Sequence, residues 1–190
     1  MKHPEHDGKA KSALLLIDVI NAFDFPGSEG LVRAAIAAAP RIRTLAERAR
    51  VAGVPVIYVN DNFGKWRSDF RTTIDACTRP AAPGREVSAA LAPKPDDYFV
   101  LKPGHSGFFC TALELLLDEL ESEVLVITGF ATNICVLHTA IDAHMRKYRV
   151  LVPSDTTGSN AEELTRQALD HLRQVSAADT PLSSDIDLGR

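Results

Sequence analysis

The sequence predicts an α/β fold of three layers, a mostly parallel sheet with helices on both faces, and three observations carry that reading. Short runs rich in Val, Ile and Leu alternate with longer stretches of helical period. The runs are apolar throughout rather than at alternate positions, which is the pattern of strands buried on both faces. Strand and helix patterns also take turns along the chain, the order from which parallel sheets are wound. With 190 residues, 45% of them apolar and 24% charged, the chain has the size of one domain with a substantial core. Residues 1–190 are therefore read as a single domain, its core over about 12–180 and its tails flexible.

The elements follow in order. Residues 13–23, ALLLIDVINAF, form a first strand that leaves into a loop at Asp18. A helix from about Ala34 to Ala52 ends at Gly53, just before Pro55, a C-terminal stop signal. PVIYVN, 55–60, is the second strand. From Asp61 to Pro95 the residues Gly64, Pro80, Pro83, Gly84, Pro93 and Pro95 interrupt any long periodic element, so this stretch reads as an irregular loop of a length often functional. DYFVLKP, 97–103, is the third strand, FFCTALELLLDEL, 108–120, an amphipathic helix, and EVLVITGF, 123–130, the fourth strand. A helix over 132–148 leads to the strand RVLVPSD, 149–155. The last long helix covers 161–175 with Asn160 or Ser159 as its cap, and a short strand over 176–179 closes the sheet. The tail SSDIDLGR reads as loosely held.

Charge and cysteine usage exclude several functions. A net charge of −4 without a basic cluster speaks against nucleic acid as partner, and mixed signs on the helices speak against a polybasic membrane anchor. The opening MKHPEHDGKAKS is polar and leads into a short strand, so neither a signal peptide nor a span of about 20 apolar residues is read there. A cytoplasmic protein acting on a small molecule is expected. Cys77, Cys110 and Cys135 are widely spaced and lack a CxxC pair, so neither a disulfide framework nor a zinc motif is expected.

Chemistry concentrates in ITGFATNICVLHTA, which ends a strand and opens a helix at Cys135. At a helix start the unpaired N–H groups and the positive end of the macrodipole favour thiolate over thiol, lowering a pKa normally about 8.5. In open α/β sheets ligands bind outside the carboxyl ends of the strands, and Asp18, Lys102 and Cys135 all lie at such ends. Each also has a plain structural reading: Cys135 as a small buried hydrophobe, Asp18 as a turn residue, Lys102 as a solvated loop lysine. Cys77 and Cys110, the latter on the apolar face of a helix, read as packing residues. His138, three residues beyond Cys135, is a candidate dyad partner, and His105 a candidate substrate contact, while His144 and His171 read as surface or partly buried positions. Phe23, Phe63, Trp66 and Phe108 border the rim as candidate substrate walls, with core packing as the alternative, and Arg67 or Arg71 are candidates for binding a substrate carboxylate.

The segments LLLIDVINAF, VLKPGHSGFFCTALELLL and ITGFATNICVLHTA resemble the three signature segments of isochorismatase-like cysteine hydrolases, over about residues 12–175. The resemblance implies a six-stranded sheet and a family that includes nicotinamidases, N-carbamoylsarcosine amidases, ureidoacrylate amidohydrolases and true isochorismatases. It places the catalytic aspartate at Asp18, the lysine at Lys102 and the nucleophile at Cys135, with a non-proline cis peptide at Ala131–Thr132. On that assignment Asp18 is the general base, Lys102 stabilises the thiolate, and the N–H groups of Thr132 and Cys135 hold the oxyanion. The resemblance also implies a homodimer or homotetramer.

Two departures narrow it. Nicotinamidases of the family bind a metal through an aspartate and histidines after the second strand, whereas here Asp61 is followed by Asn62, Phe63 and Gly64 with no histidine nearby, so no metal and no other cofactor is expected. True isochorismatases lack the cysteine, so Cys135 argues for an amide, ureido or carbamoyl substrate. The leading expectation is a metal-independent cysteine amidohydrolase working through a thioester. The alternatives are a binding or assembly module of the same fold without catalysis, and a nicotinamidase.

Overall fold

A computed structural model of the chain describes residues 11–67 and 69–188. Its elements are β1 (Ser12–Ile17), α1 (Glu29–Val51), β2 (Val56–Asp61), α2 (Phe70–Thr78), α3 (Arg85–Ala90), β3 (Tyr98–Lys102), α4 (Leu113–Glu119), β4 (Val124–Phe130), α5 (Leu137–Met145), β5 (Arg149–Leu151), β6 (Thr157–Gly158) and α6 (Glu162–Val175). A π-helical turn, Thr132–Val136, leads directly into α5. All strand pairs are parallel, in the order β3-β2-β1-β4-β5 with β6 beside the end of β4.

β1 lies at the centre because it can be buried on both sides. Leu14 and Leu16 point to one face and pack with α1, α2 and α3, while Ala13, Leu15 and Ile17 point to the other and pack with α4, α5 and α6. These five residues are fully buried. Removing one such leucine to alanine costs about 2–5 kcal/mol. The three-layer α/β/α architecture is therefore as expected from the apolar runs, and the count of six strands is as the resemblance implies, with the sixth in a different place.

The chain winds from β1 outward to β2 and β3, then crosses back to place β4 on the other side of β1. Helix α1 after β1 covers one face and α5 after β4 covers the other. The connections leaving β1 and β4 therefore diverge, and the crevice between them is the place where open sheets of this kind bind ligands.

Several boundaries differ from the sequence reading. Helix α1 starts at Glu29 rather than near Ala34, because Asn160 Oδ1 accepts a hydrogen bond from Leu31 N at 2.9 Å and supplies a cap from far along the chain. Pro40 sits inside α1 but on its exposed side, so the backbone bond it cannot donate is not lost from the core-facing side. The stretch 61–95 is not uniformly irregular: Asp69 caps α2 by accepting from Thr72 N, and Phe70, Thr73 and Cys77 form its buried stripe. Pro80 and Pro83 fall between α2 and α3. Residues 108–112 are turns rather than helix, with Cys110 exposed and in the left-handed region at φ 52°, so Cys110 is not a packing residue.

At the C-terminal end, Asn160 and Ser159 do not cap α6. Asn160 serves α1, Ser159 Oγ accepts from Asn133 N at 3.3 Å, and α6 has no side-chain cap. β5 ends at Leu151, the sixth strand is Thr157–Gly158, and the stretch 176–179 contributes one bridge between Leu151 and Asp179. Nor is 183–188 loosely held. Arg48 donates to the carbonyls of Ser183 and Ile186 at 2.7 and 2.6 Å, Asp155 accepts from Ser183 N and Oγ, and Ile186 and Leu188 join the core beneath α1. The N-terminal tail over 1–10 lies outside the described residues. Among the described residues no helix is long and apolar enough to cross a membrane.

Candidate active site

The crevice between the ends of β1 and β4 brings together Asp18, Lys102 and Cys135. Asp18 follows β1 with φ 50°, a left-handed conformation that aspartate tolerates better than most residues. Its N–H still reaches Val59 O at 3.0 Å, so the residue is locked to β2 while its backbone turns. Its carboxylate does not bond its own turn. Oδ1 accepts from Asp61 N at 2.6 Å and Oδ2 meets the Lys102 ammonium at 2.8 Å.

Lys102 is the last residue of β3 and is paired in register with Asp61 of β2. Alternation along β3 puts its side chain on the same face as Val100, inward rather than into solvent, and it is 0% exposed. The ammonium has four neighbours: Asp18 Oδ2, Gly104 O at 3.1 Å, Cys135 Sγ at 3.5 Å and Asp61 Oδ2 at 3.6 Å. A buried cation requires such compensation. Burial by itself would lower the lysine pKa, but Asp18, then Cys135 and Asp61, more than offset it and hold it above the usual value. Lys102 stays charged.

Cys135 sits in the π-helical turn between β4 and α5. Gly129, at φ 107°, lets β4 reach this turn, because a Cβ there would meet Ile17 O at 2.0 Å. The non-proline cis peptide is Phe130–Ala131, one bond before the expected Ala131–Thr132. The Ala131 carbonyl already belongs to the helix, accepting from Ile134 N and Val136 N at 3.1 and 3.2 Å, so the change of direction falls on the preceding bond. Behind the turn, Thr132 Oγ1 bonds Thr157 Oγ1 at 2.8 Å, and Thr157 Oγ1 donates to Gly129 O, which ties β6 to the segment.

The thiol is not lowered as a helix start suggests. Burial, reinforced by the Asp18 charge, pushes the Cys135 pKa up, and Lys102 opposes this without overcoming it. Burial likewise pushes Asp18 above 3.8 against the pull of Lys102. Burial thus favours the protonated form of both groups, and the ammonium 2.8 Å from Asp18 is what opposes protonation of its carboxylate. A raised carboxylate is a better proton acceptor, so the arrangement can move one proton from sulfur to Asp18 when a substrate arrives.

The other candidates divide. Phe63 and Trp66 are exposed, the latter 79% so, and Phe63 N donates to Asp61 Oδ1 at 2.6 Å beside the ammonium. Phe23 is fully buried, edge-on to Phe130, and Phe108 packs against Tyr148 and Arg146, so both are core residues. Phe109 takes the place expected of Phe108: it is exposed and its ring lies against Gly104, whose carbonyl holds the ammonium. The two phenylalanines fall in a turn, where sequence period does not say which points outward. His138 is exposed with Nδ1 bonded to Ile134 O at 2.7 Å, and its ring lies 5.6 Å from that of His105, so it is not a base for Cys135. Arg67 and Arg71 are exposed, as are His144 and His171.

Asp61 is the neighbour whose place the sequence reading left open, and its parallel register with Lys102 explains its nearness. Its carboxylate faces that ammonium and the Phe63 N–H, and among the described residues no group of three His, Cys, Asp or Glu is placed to hold a metal ion, so the donor set here does not fit a nicotinamidase-type metal. A cavity of 710 Å³ between α1 and α6 holds none of the three residues. A smaller one of 210 Å³ runs from Phe63 past Lys65 and Cys77 to Arg79.

Residues 12–181 match the isochorismatase domain. The chain belongs to the isochorismatase family. It is 40% identical over 178 residues to YaaI, an uncharacterised isochorismatase family protein of Bacillus subtilis (strain 168), covering 94% of this chain and 97% of the relative. The ureidoacrylate amidohydrolase RutB of Methylobacterium radiotolerans is 32% identical over 187 residues, 84% of this chain and 72% of RutB. Among solved structures, N-carbamoylsarcosine amidase from Thermoplasma acidophilum superposes with a TM-score of 0.71 at 28% identity, over 93% of this chain and 99% of that one. This member thus shares both sequence and fold with amidohydrolases, and its buried acid and lysine and half-buried cysteine lie on the three segments noted in the sequence.

Proposed function

We propose that Asp18, Lys102 and Cys135 form the catalytic triad of a cysteine amidohydrolase that cleaves a small amide, ureido or carbamoyl compound without a metal. The observation that carries this reading is a single buried ammonium within 2.8 Å of a carboxylate and 3.5 Å of a thiol at the sheet's topological switch point. Burial of a pair like this gives little net stability, so its retention needs another reason. The names borne by RutB and N-carbamoylsarcosine amidase support the substrate class.

In the first step the Sγ–carbon bond forms as the thiol proton passes to Asp18. The N–H groups of Asn133, Ile134 and Val136 have acceptors in Ser159 and Ala131, and we assign the oxyanion role to those of Thr132 and Cys135. Collapse breaks the C–N bond, Asp18 returns its proton to the departing amine, and an acyl group is left on Cys135. Water then attacks the thioester, giving one proton to Asp18; the C–S bond breaks to release the carboxylic acid, and Asp18 passes that proton to sulfur, restoring the thiol. Lys102 stays charged throughout and stabilises whichever partner carries the negative charge.

The test is intact-protein mass spectrometry after rapid mixing with a panel of small carbamoyl and ureido acids, alongside ammonia release. An acyl adduct confined to Cys135 and accompanied by turnover is the expected result. Turnover persisting undiminished in Cys135→Ala contradicts the proposal, and a panel with no adduct and no turnover moves the reading to a non-catalytic module.

A further inference from the structure

Thr139 is fully buried on the first turn of α5 and has a hydroxyl with two partners. The Oγ1 donates to Cys135 O at 2.7 Å and accepts from Gly107 N at 3.0 Å. The first bond is ordinary, since a threonine inside a helix often bonds the carbonyl four residues back. The second is not local, for it reaches across to the connection between β3 and α4.

We infer that Thr139 is a positioning residue that locks the β3–α4 connection, and with it the Lys102 ammonium, to the helix carrying Cys135. This rests on the hydrolase reading of Cys135. Gly104 and Gly107 belong to one short loop, and Gly104 O takes a hydrogen bond from Lys102 Nζ at 3.1 Å. Where that loop sits therefore fixes one of the four neighbours of the ammonium. The loop lies flush on α5: a Cβ at Gly107 would meet Val59 Cγ1 at 2.9 Å and Thr139 Cγ2 at 3.3 Å.

A second clamp stands beside the first. Ser106 Oγ donates to Asp142 Oδ2 and accepts from Phe108 N at 3.1 Å. Thr139 and Asp142 lie three residues apart on one stripe of α5, and Cys135, in the π-helical turn that leads into α5, is tied to that stripe through the Thr139 bond to its carbonyl. Each clamp joins that stripe to the loop after β3, an element from a different strand. The arrangement ties the lysine's surroundings to the sulfur directly, rather than through the sheet below. A supporting hydrogen bond of this kind is what holds reacting groups within a few tenths of an ångström.

Thr139→Val keeps the shape of the side chain, removes the hydroxyl and leaves the Gly107 N–H without its acceptor. The experiment is the pH dependence of iodoacetamide alkylation at Cys135, read by peptide mass spectrometry without any substrate, in wild type, Thr139→Val, Thr139→Ser and Ser106→Ala. With the loop released, the ammonium stabilises the thiolate less, so the midpoint moves up by about one pH unit and the rate at pH 7 falls about tenfold in Thr139→Val. Thr139→Ser restores the wild-type profile, which a mere loss of packing would not do. Ser106→Ala moves the midpoint in the same direction by less. A folded Thr139→Val with the wild-type profile overturns the inference, and if that variant does not fold, a wild-type profile in Ser106→Ala overturns it. If Cys135 alkylation is indifferent to Asp18→Asn and Lys102→Met as well, the hydrolase reading itself is overturned along with it.

Discussion

The two ends of the central sheet hold the same kinds of charged side chain in opposite circumstances. At the end where the strands begin, Lys11 pairs with Glu121, and Arg149 pairs with Asp179 at 3.1 Å with side chains 69% and 58% exposed. At the end where they finish, Lys102 and Asp18 pair at 2.8 Å with side chains 0% and 7% exposed. Exposed pairs contribute about 0–1 kcal/mol and are screened by salt. The buried pair is surrounded by low-dielectric core, where its two charges cost several kcal/mol to desolvate and its geometry is fixed by four neighbours. Arg50 and Asp97, 2.7 Å apart at the start of β3, are also partly buried, but the arginine side chain keeps 23% exposure whereas that of Lys102 keeps none. The contrast fits the chemistry proposed for the second end.

The comparison can be broken at either end, and the expected effects run from large to small. Cys135→Ala, which removes the proposed nucleophile beside the buried pair, lowers kcat/KM by at least about 10⁴-fold on any amide that the wild type cleaves, with circular dichroism unchanged. Lys102→Met leaves the Asp18 carboxylate buried without its cation, so urea unfolding shows a loss of about 3–5 kcal/mol together with a fall in kcat.

The pH profile comes next. The proposed mechanism needs Asp18 as carboxylate, and burial raises its pKa above 3.8, so kcat/KM is expected to fall on the acid side at a higher pH than for an ordinary carboxylate. Stability runs the other way. A carboxyl raised on folding favours the folded state most below its unfolded pKa, and that contribution is lost as pH rises through the folded value. Arg149→Ala, at the exposed end, changes stability by no more than about 1 kcal/mol and leaves kcat/KM unaltered.

How much of this was legible in the sequence depended on what kind of interaction fixed each feature. β1 was legible because its burial on both faces writes an unbroken apolar run, and the strand ends carrying Asp18 and Lys102 followed from it. Helix α2 was missed among prolines and glycines, although Asp69 as cap and the spacing of Phe70, Thr73 and Cys77 marked it. The start of α1 was not legible from its own residues, since its cap comes from Asn160 across the fold. In the site, the three chemical residues stood in recognisable segments, whereas the place of Asp61 beside Lys102 came from strand register and Phe109 replaced Phe108 on the rim. The direction of the Cys135 pKa was misjudged for a related reason. A helix start favours thiolate, but the depth of the crevice and the charge of Asp18 are three-dimensional facts, and here they prevail.

The central claim is that one ammonium and one carboxylate act on the Cys135 thiol in opposite senses. It is tested most directly by the pH midpoint of Cys135 alkylation in Asp18→Asn and Lys102→Met, with Cys77, whose buried thiol is pushed up to about 11, as internal reference. Asp18→Asn removes the charge that raises the thiol, so its midpoint falls even as amide turnover drops about 10²–10⁴-fold, while Lys102→Met removes the opposing charge and its midpoint rises. Shifts in the same direction, or none in either variant, would contradict the account.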